Sequence, residues 1–499
     1  MRRLPHFVLL LPVLVALGAL ASCRRDQPHE LQVAVIGAGP LELGDATSLP
    51  AGMPQAVLRA SVAQGLVRFD AGGQVEPGLA ERWNVSDDGL SYIFRLTTGE
   101  WPDGRRIMAR DVAKILNRIL RAKGNDATRD ALGAVNDIVA MTDRVIEIRL
   151  DTPRSNLLQL LAQPDFALIR EGVGTGPFAR RAPNAGDPPE GNAWRLRYRP
   201  QGIDGEPGLR EDARLSAMPA ATAVAAFRAG TVNLVLGGTV VDLPLATRIK
   251  PARGTLHFDP VGGLFGLVPL RADGPLTIPE LRRLLSEAID RPALVAALGV
   301  PGLVPRATLL QSGLEGLPDP VQPAWLAQPI ADRRAALQRL AGALLPSDER
   351  LKIVIALPEG PGAERIFARL FADWGALGIT LDRAMPGRPA DLGLIDMVAP
   401  STSPAWFVRQ FRCGVAAVCL PATTDLVQAA RDAQIPVQRA ALLAQAAEMI
   451  DSADLFIPLT APIRWSLVGD RATGFIDNRF GRHSLVGISR QGGSRGYTP

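Results

Sequence analysis

The chain has 499 residues, 47% hydrophobic and 21% charged, which is more apolar chain than a single core accommodates and predicts at least two domains. Fifty-five basic and 50 acidic side chains leave a net charge of +5; only four of the basic residues are lysines, and the arginines are scattered rather than striped, unlike the concentrated positive face of a nucleic-acid binder. Four histidines and three cysteines argue against a multi-ligand metal centre, and no cofactor is expected.

In chain order, the first feature is an export signal. Arg2 and Arg3 precede an apolar run from Phe7 to Leu20. It is shorter than the roughly 20 residues a helix needs to span a bilayer. Leu20-Ala21-Ser22-Cys23 follows, and small residues before a cysteine resemble the lipobox of bacterial lipoproteins. Residues 1–22 then read as a signal peptide, Cys23 as the acylated mature N-terminus and 23–30 as an anchor linker. The expected address is extracytoplasmic (periplasmic), with a lipid anchor in the membrane. With Cys23 taken by lipid, Cys413 and Cys419 remain and can close a small disulfide loop in an oxidising compartment. A redox pair or half a zinc site is the other reading, but the spacing is not Cys-x-x-Cys and no histidine is near.

Residues 31–37 predict a strand rich in β-branched residues, and 54–66 a helix with Val57, Leu58, Val62 and Leu66 apolar. A hairpin is predicted over 83–101, turning at Ser86-Asp87-Asp88-Gly89. An amphipathic helix follows at 109–121, and 144–150 alternates as a half-buried strand. Residues 182–192 read as a loop, 219–229 as a helix, 232–236 as a strand and 279–289 as a helix, with Asp290-Arg291-Pro292 capping the next one. The Pro-rich stretch 313–331 reads as a surface connection. Strands at 351–357, 379–383 and 392–398 and helices at 362–377 and 435–451 complete an α/β alternation.

No enzyme signature emerges. Gly37-Ala38-Gly39-Pro40 lacks the third glycine of a dinucleotide fingerprint, and no lysine follows a glycine as a Walker A loop requires. His257 and His483 have no recognisable nucleophile context and read as structural. Asp87 and Asp88 sit in a turn, where aspartate bonds its own backbone.

Five ordered motifs carry a resemblance. They are Gln64-Gly65-Leu66-Val67-Arg68-Phe69-Asp70 with Pro77-Gly78-Leu79-Ala80-Glu81-Arg82-Trp83; the hairpin, closing in Trp101-Pro102-Asp103-Gly104 and Ala109-Arg110-Asp111-Val112; Gly174-Thr175-Gly176-Pro177-Phe178; Ala226-Phe227-Arg228-Ala229-Gly230-Thr231-Val232-Asn233; and Glu280-Leu281-Arg282-Arg283 through Ala288-Ile289-Asp290-Arg291. The chain resembles the family 5 extracytoplasmic solute-binding proteins, the dipeptide/oligopeptide-binding class of ABC importers. The resemblance implies a two-lobed α/β clamp with an inserted α+β subdomain. Lobe I would comprise 31–53, 172–263 and 459–499, the insertion 54–171 and lobe II 264–458. It also implies a monomer without catalysis that captures a peptide or peptide-like polar solute between its lobes and delivers it to ABC permease subunits with their ATPases. A disulfide between Cys413 and Cys419 resembles the one in dipeptide binders.

Departures from the family pattern bear on the ligand. Aligned on Pro404, the aspartate that pairs with a peptide's α-amino group falls on Pro400, and Met397 stands where a tryptophan is frequent. Gln64 stands where a glutamate is common. Cleft-facing candidates are therefore Gln64, Asp396, Met397, Ser401, Thr402 and Trp406, with an N-blocked peptide or non-peptide solute as the expected variant. The reading from another class is a lipid-anchored scaffold or sensor that keeps the fold and binds a protein partner.

Overall fold

The computed structural model describes residues 30–488 apart from 46, 49–51, 123–131, 182–191, 200–211, 346–349, 386 and 487. The expected signal peptide, Cys23 and most of the expected loop 182–192 lie outside the described residues.

Among the described residues, three sheets of four or more strands organise the chain. The first has seven, in the spatial order Phe178–Arg180, Ala193–Tyr198, Ala213–Met218, Leu31–Ile36, Leu234–Thr239, Arg464–Val468, Leu256–Phe258. Leu31–Ile36 is parallel to both neighbours, and the outer pairings are antiparallel. Its near-continuous apolar sequence follows from its position. Leu31, Val33 and Val35 enter one core with Phe94, Trp101 and Ile146, whereas Ala34 enters another with Phe265, Ile353 and Trp374. Successive side chains point to opposite faces and both faces are covered, so no polar alternation is required.

The second sheet runs Thr380–Arg383, Lys352–Ala356, Leu392–Val398, Gly263–Pro269, Ile457–Pro458. Helices Pro279–Ala288 and Pro361–Gly375 meet over it, where the Trp374 indole donates to the Leu285 carbonyl at 3.0 Å. Helices Pro404–Arg409, Pro421–Asp432 and Pro436–Ser452 form a third core around Phe407, Phe411, Leu443 and Phe456. The third sheet is antiparallel, in the order Ala80–Val85, Ser91–Leu96, Val145–Leu150, Val135–Thr142, and joins the first core. The fold is therefore a bilobed α/β structure. Its chain crosses between the first two sheets at 259–262 and 459–463, where Asp259 N donates to Arg464 O and Leu459 N to Phe265 O, each at 3.0 Å.

Local chemistry explains most boundaries. Helix Ala109–Arg121 buries Val112, Ile115, Leu116 and Ile119 as its spacing predicts. The hairpin turn is closed by Asp88 Oδ1, which accepts from Ser86 Oγ and Leu90 N, with Gly89 at φ 69°. Asp290 Oδ1 caps helix Arg291–Leu298 by accepting from Ala293 N at 3.1 Å. The helix expected over 54–66 instead runs Met53–Val62 and Ala63 is extended. Tertiary packing stops it, because Gly176 N donates to Val62 O at 3.0 Å and a Cβ at Gly176 would lie 2.4 Å from the Val62 carbonyl carbon. The glycines of the Gly174-Thr175-Gly176 motif thus permit close backbone approach to the helix end.

Candidate functional site

Strand Leu392–Val398 of the second sheet leads into the segment 399–403, which faces helix Leu157–Leu161 and its flanks. Three amide side chains reach across to it. Asn156 Nδ2 donates to Ser401 Oγ at 3.1 Å, Gln159 Oε1 accepts from Thr402 N at 3.2 Å, and Gln163 Nε2 donates to Pro400 O at 2.7 Å. Their spacing of three and four residues is the period of one helical face, supplied by Leu157–Leu161 and its flanks. From behind, Glu315 N donates to Thr402 O at 3.0 Å, and Glu315 accepts from the Ser155 hydroxyl. The contacts tie the helix Leu157–Leu161 and its flanks to the segment that follows strand Leu392–Val398 of the second sheet.

Beside this bridge lies a cavity of about 440 Å³, the size of a small-molecule site. Pro400, Ser401, Ser403 and Trp406 form one wall, with Leu160 and Asn156 facing them from helix Leu157–Leu161 and its N-terminal flank. Arg154, Arg409, Arg412, Arg431 and Arg439 also line it. Tyr92 Oη holds the Arg154 backbone by donating to its carbonyl at 2.7 Å. Burial, and then the neighbouring Arg439, Arg409 and Arg431, push the Arg154 pKa down to about 9, which leaves it charged at neutral pH. The disulfide between Cys413 and Cys419 closes the loop that contributes Gly414 and Val415 to the wall.

The candidate residues read from the sequence are distributed around this bridge. Ser401 and Trp406 line the cavity, and the Trp406 ring packs edge-on against Phe407 at 5.0 Å between centroids. Ser401 and Thr402 together line a second cavity, about 430 Å³, on the far side of the same segment. Gln64 lies in a third, about 320 Å³, against the C-terminal segment, with Nε2 donating to Thr175 O at 2.9 Å. Asp396 is paired with Arg464 at 2.7 Å, and Met397 is 40% exposed on the adjacent register position. The structure therefore brings Ser401, Thr402 and Trp406 to one place and sets Gln64, Asp396 and Met397 apart from it. Beyond Arg409, which lies between Trp406 and the Cys413–Cys419 loop in the stretch that borders the cleft in the family, sequence reasoning missed these arginines and the amide bridge. The bridge's helical spacing was a usable signal; Arg154, Arg431 and Arg439 come from separate segments and offered none.

His483 Nε2 sits 3.0 Å from Asp259 Oδ2, and His257 Nδ1 sits 3.0 Å from Asp477 Oδ1, so both histidines are held by carboxylates near the crossovers. Among the described residues there is no group of three metal-ligating side chains, and no helix is long and apolar enough to cross a membrane.

Residues 74–388 match the middle region of the bacterial extracellular solute-binding proteins, family 5. The chain is 26% identical over 486 residues to "Probable di/tripeptide-binding protein 5" of Pseudomonas aeruginosa, covering 85% of this chain and 89% of the relative. Its fold matches the murein tripeptide binding protein MppA of Escherichia coli with a TM-score of 0.78 at 17% identity, over 93% of this chain and 99% of that one. It matches Haemophilus influenzae OppA in complex with RPPGFSPFR with a TM-score of 0.77 at 18% identity, over 93% and 100%. With the family match extending over more than half of its length, the chain belongs to the family 5 bacterial extracellular solute-binding proteins.

Proposed function

We propose that this protein is the solute-binding component of an ABC importer. It captures a peptide or peptide-like polar solute between its lobes and presents the closed form to permease subunits with their ATPases. The lobes are the segments 31–53, 172–263 and 459–499 on one side and 264–458 on the other, with 54–171 inserted in the first. The lipidated Cys23 tethers the protein to the membrane on its extracytoplasmic face.

One observation carries this reading. The Asn156–Gln159–Gln163 bridge closes the inserted region onto 400–402 directly beside a cavity of about 440 Å³ lined from both sides. Closure that forms contacts around a bound solute is what lets a permease distinguish the loaded form. Relatives named as di/tripeptide-binding and murein tripeptide binding proteins support a peptide-sized solute. Pro400, at the position where peptide binders carry an anchoring aspartate, offers no charge, and its carbonyl is taken by Gln163.

Native mass spectrometry of the full chain, purified in detergent, tests the reading. A small mass that leaves on denaturation is expected, together with a lipid-sized mass on Cys23. An empty protein that shows no thermal shift with peptide and metabolite mixtures would instead favour a scaffold binding a protein partner.

A further inference from the structure

Charge distinguishes the interlobe cavity from its surroundings. Arg154, Arg409, Arg412, Arg431 and Arg439 line it from both lobes, and Glu315 is the single carboxylate among its described lining residues. Three of these arginines are satisfied by neutral groups. Arg154 donates to the carbonyls of Pro153 and Arg431 at 3.1 and 3.0 Å, Arg431 to that of Gly133 at 3.0 Å, and Arg439 to that of Ala433 at 2.6 Å. Among the described residues no carboxylate pairs with any of these three, and the Arg439 Nε is buried without a partner. Glu315 is already engaged by the Ser155 hydroxyl.

Gathering like charges in a partly buried space is unfavourable, and the lowered pKa of Arg154 reflects it. The arrangement becomes favourable when oxyanions enter, because guanidinium–carboxylate and guanidinium–phosphate bonds are charge-assisted and often bidentate. Leu160, Trp406 and Val415 supply apolar wall beside the cations. A cationic solute would meet only Glu315.

We infer that the solute is anionic, a small molecule carrying about two or more negative charges on carboxylate or phosphate groups, with its oxyanions held by Arg154 and Arg439 from opposite lobes. This rests on the reading of the cavity as the solute site. A dianion between arginines of the two lobes offsets their mutual repulsion, so ligand charge adds to the hydrogen bonds that already join the lobes.

The test is calorimetric titration of the full chain with Glu-Glu, citrate, glucose 6-phosphate, Ala-Ala and Lys-Lys, alongside the identity of any co-purified mass. The expected result is an acidic co-purified solute, or an acidic probe that binds at least about tenfold more tightly than Ala-Ala and weakens as salt is added. Citrate or Glu-Glu against glucose 6-phosphate separates carboxylate from phosphate as the source. Arg154→Gln with Arg439→Gln should weaken the acidic solute about tenfold or more. The salt dependence of the unaltered chain keeps the test valid if that variant misfolds. A neutral or basic solute bound as tightly, and indifferent to salt, overturns the anionic assignment and leaves the solute-binding reading standing. Absence of any co-purified mass and of any binding overturns both.

Discussion

Asp396 and Arg464 join the two lobes beside the second crossover. Arg464 Nη1 donates to Asp396 Oδ1 at 2.7 Å and Nη2 to the Asp396 carbonyl at 3.3 Å. Asp396 stands on a strand of the second sheet and Arg464 opens a strand of the first. Burial raises the Asp396 pKa, and Arg464 works against that shift. Removing one member of a largely buried pair strands the other, so Arg464→Leu is expected to cost about 3–5 kcal/mol of stability. The sign of its pH dependence follows from the same shift. Without the guanidinium the Asp396 pKa rises further, the native state binds the proton that the unfolded state has lost, and the deficit deepens as pH rises above about 4. Urea unfolding of Arg464→Leu and of Arg464→Leu with Asp396→Leu at pH 5 and pH 8 checks this. A single variant no less stable than the double at pH 8 would show that the pair does not bind the lobes.

Asp451 gives a second pH effect away from the cleft. Its Oδ1 accepts from Leu309 N at 2.8 Å, and burial, only partly countered by that bond and by Arg306, pushes its pKa up to about 7. A carboxyl raised in the folded state retains a proton there that the unfolded chain releases near pH 4. It therefore favours folding most below that pH, and the advantage disappears as pH rises to about 7. Asp451→Asn keeps an acceptor for Leu309 and cannot ionise. Its unfolding midpoint should change less between pH 5 and pH 8 than that of the unaltered chain, and an equal change in both would rule Asp451 out as the source.

The disulfide between Cys413 and Cys419 spans six residues of sequence. Closing so short a loop contributes about 2 kcal/mol on the chain-entropy account. Cys413→Ser with Cys419→Ser should lower stability by that amount and, because Gly414 and Val415 wall the cavity, also weaken the co-purified solute. Unchanged solute affinity in a destabilised variant would separate the loop's structural role from the site.

What the sequence disclosed and what it hid divide along physical lines. Helix Ala109–Arg121 and the hairpin through Gly89 are legible because their patterns are local: one apolar stripe, and one turn closed by its own aspartate. The helix end at Val62 is not, because it is set by Gly174 and Gly176, more than a hundred residues away. Strand Gly263–Pro269 opens on a glycine and carries a second inside it, and this Gly266 lies directly under the Phe456 ring, a packing reason invisible in local propensity. Beside the candidate cavity, Ser401 and Trp406 fall in the segment that the family motif around Pro404 marks, and Thr402 lines the cavity on the other side of it. Arg154, Arg431 and Arg439 read in isolation as solvated charges, and only the approach of two lobes makes them one electrostatic feature.

The amide bridge makes a prediction about closure. The Gln163 side chain is buried, and its bond to Pro400 O at 2.7 Å belongs to the amide bridge formed with Asn156 and Gln159. A net hydrogen bond is worth about 0.5–1.5 kcal/mol. Gln163→Ala should therefore weaken solute capture several-fold, and adding Asn156→Ala should deepen the loss. Small-angle scattering with solute present should show a larger radius of gyration for the double variant. Identical radii and affinities would mean that these contacts do not hold the clamp shut.

A pair of glycines distinguishes lobe contact from ordinary helix propensity. Gly362, in the first turn of helix Pro361–Gly375, donates its N–H to Val241 O at 2.8 Å, and a Cβ there would lie 1.9 Å from the Val240 carbonyl oxygen. Val240 and Val241 follow strand Leu234–Thr239 of the first sheet, so second-lobe helix and first-lobe backbone touch with no room for a methyl group. Gly362→Ala must push them apart, at about 1–3 kcal/mol. Gly342, inside helix Ile330–Leu344, has open space where its Cβ would be. Gly342→Ala should stabilise by about 0.5–1 kcal/mol through helix propensity alone. The two substitutions add the same methyl group with opposite expected signs. Calorimetric melting of both variants reads the difference, and a Gly362→Ala protein that melts no lower than the unaltered chain would show that the lobes do not rest on each other there.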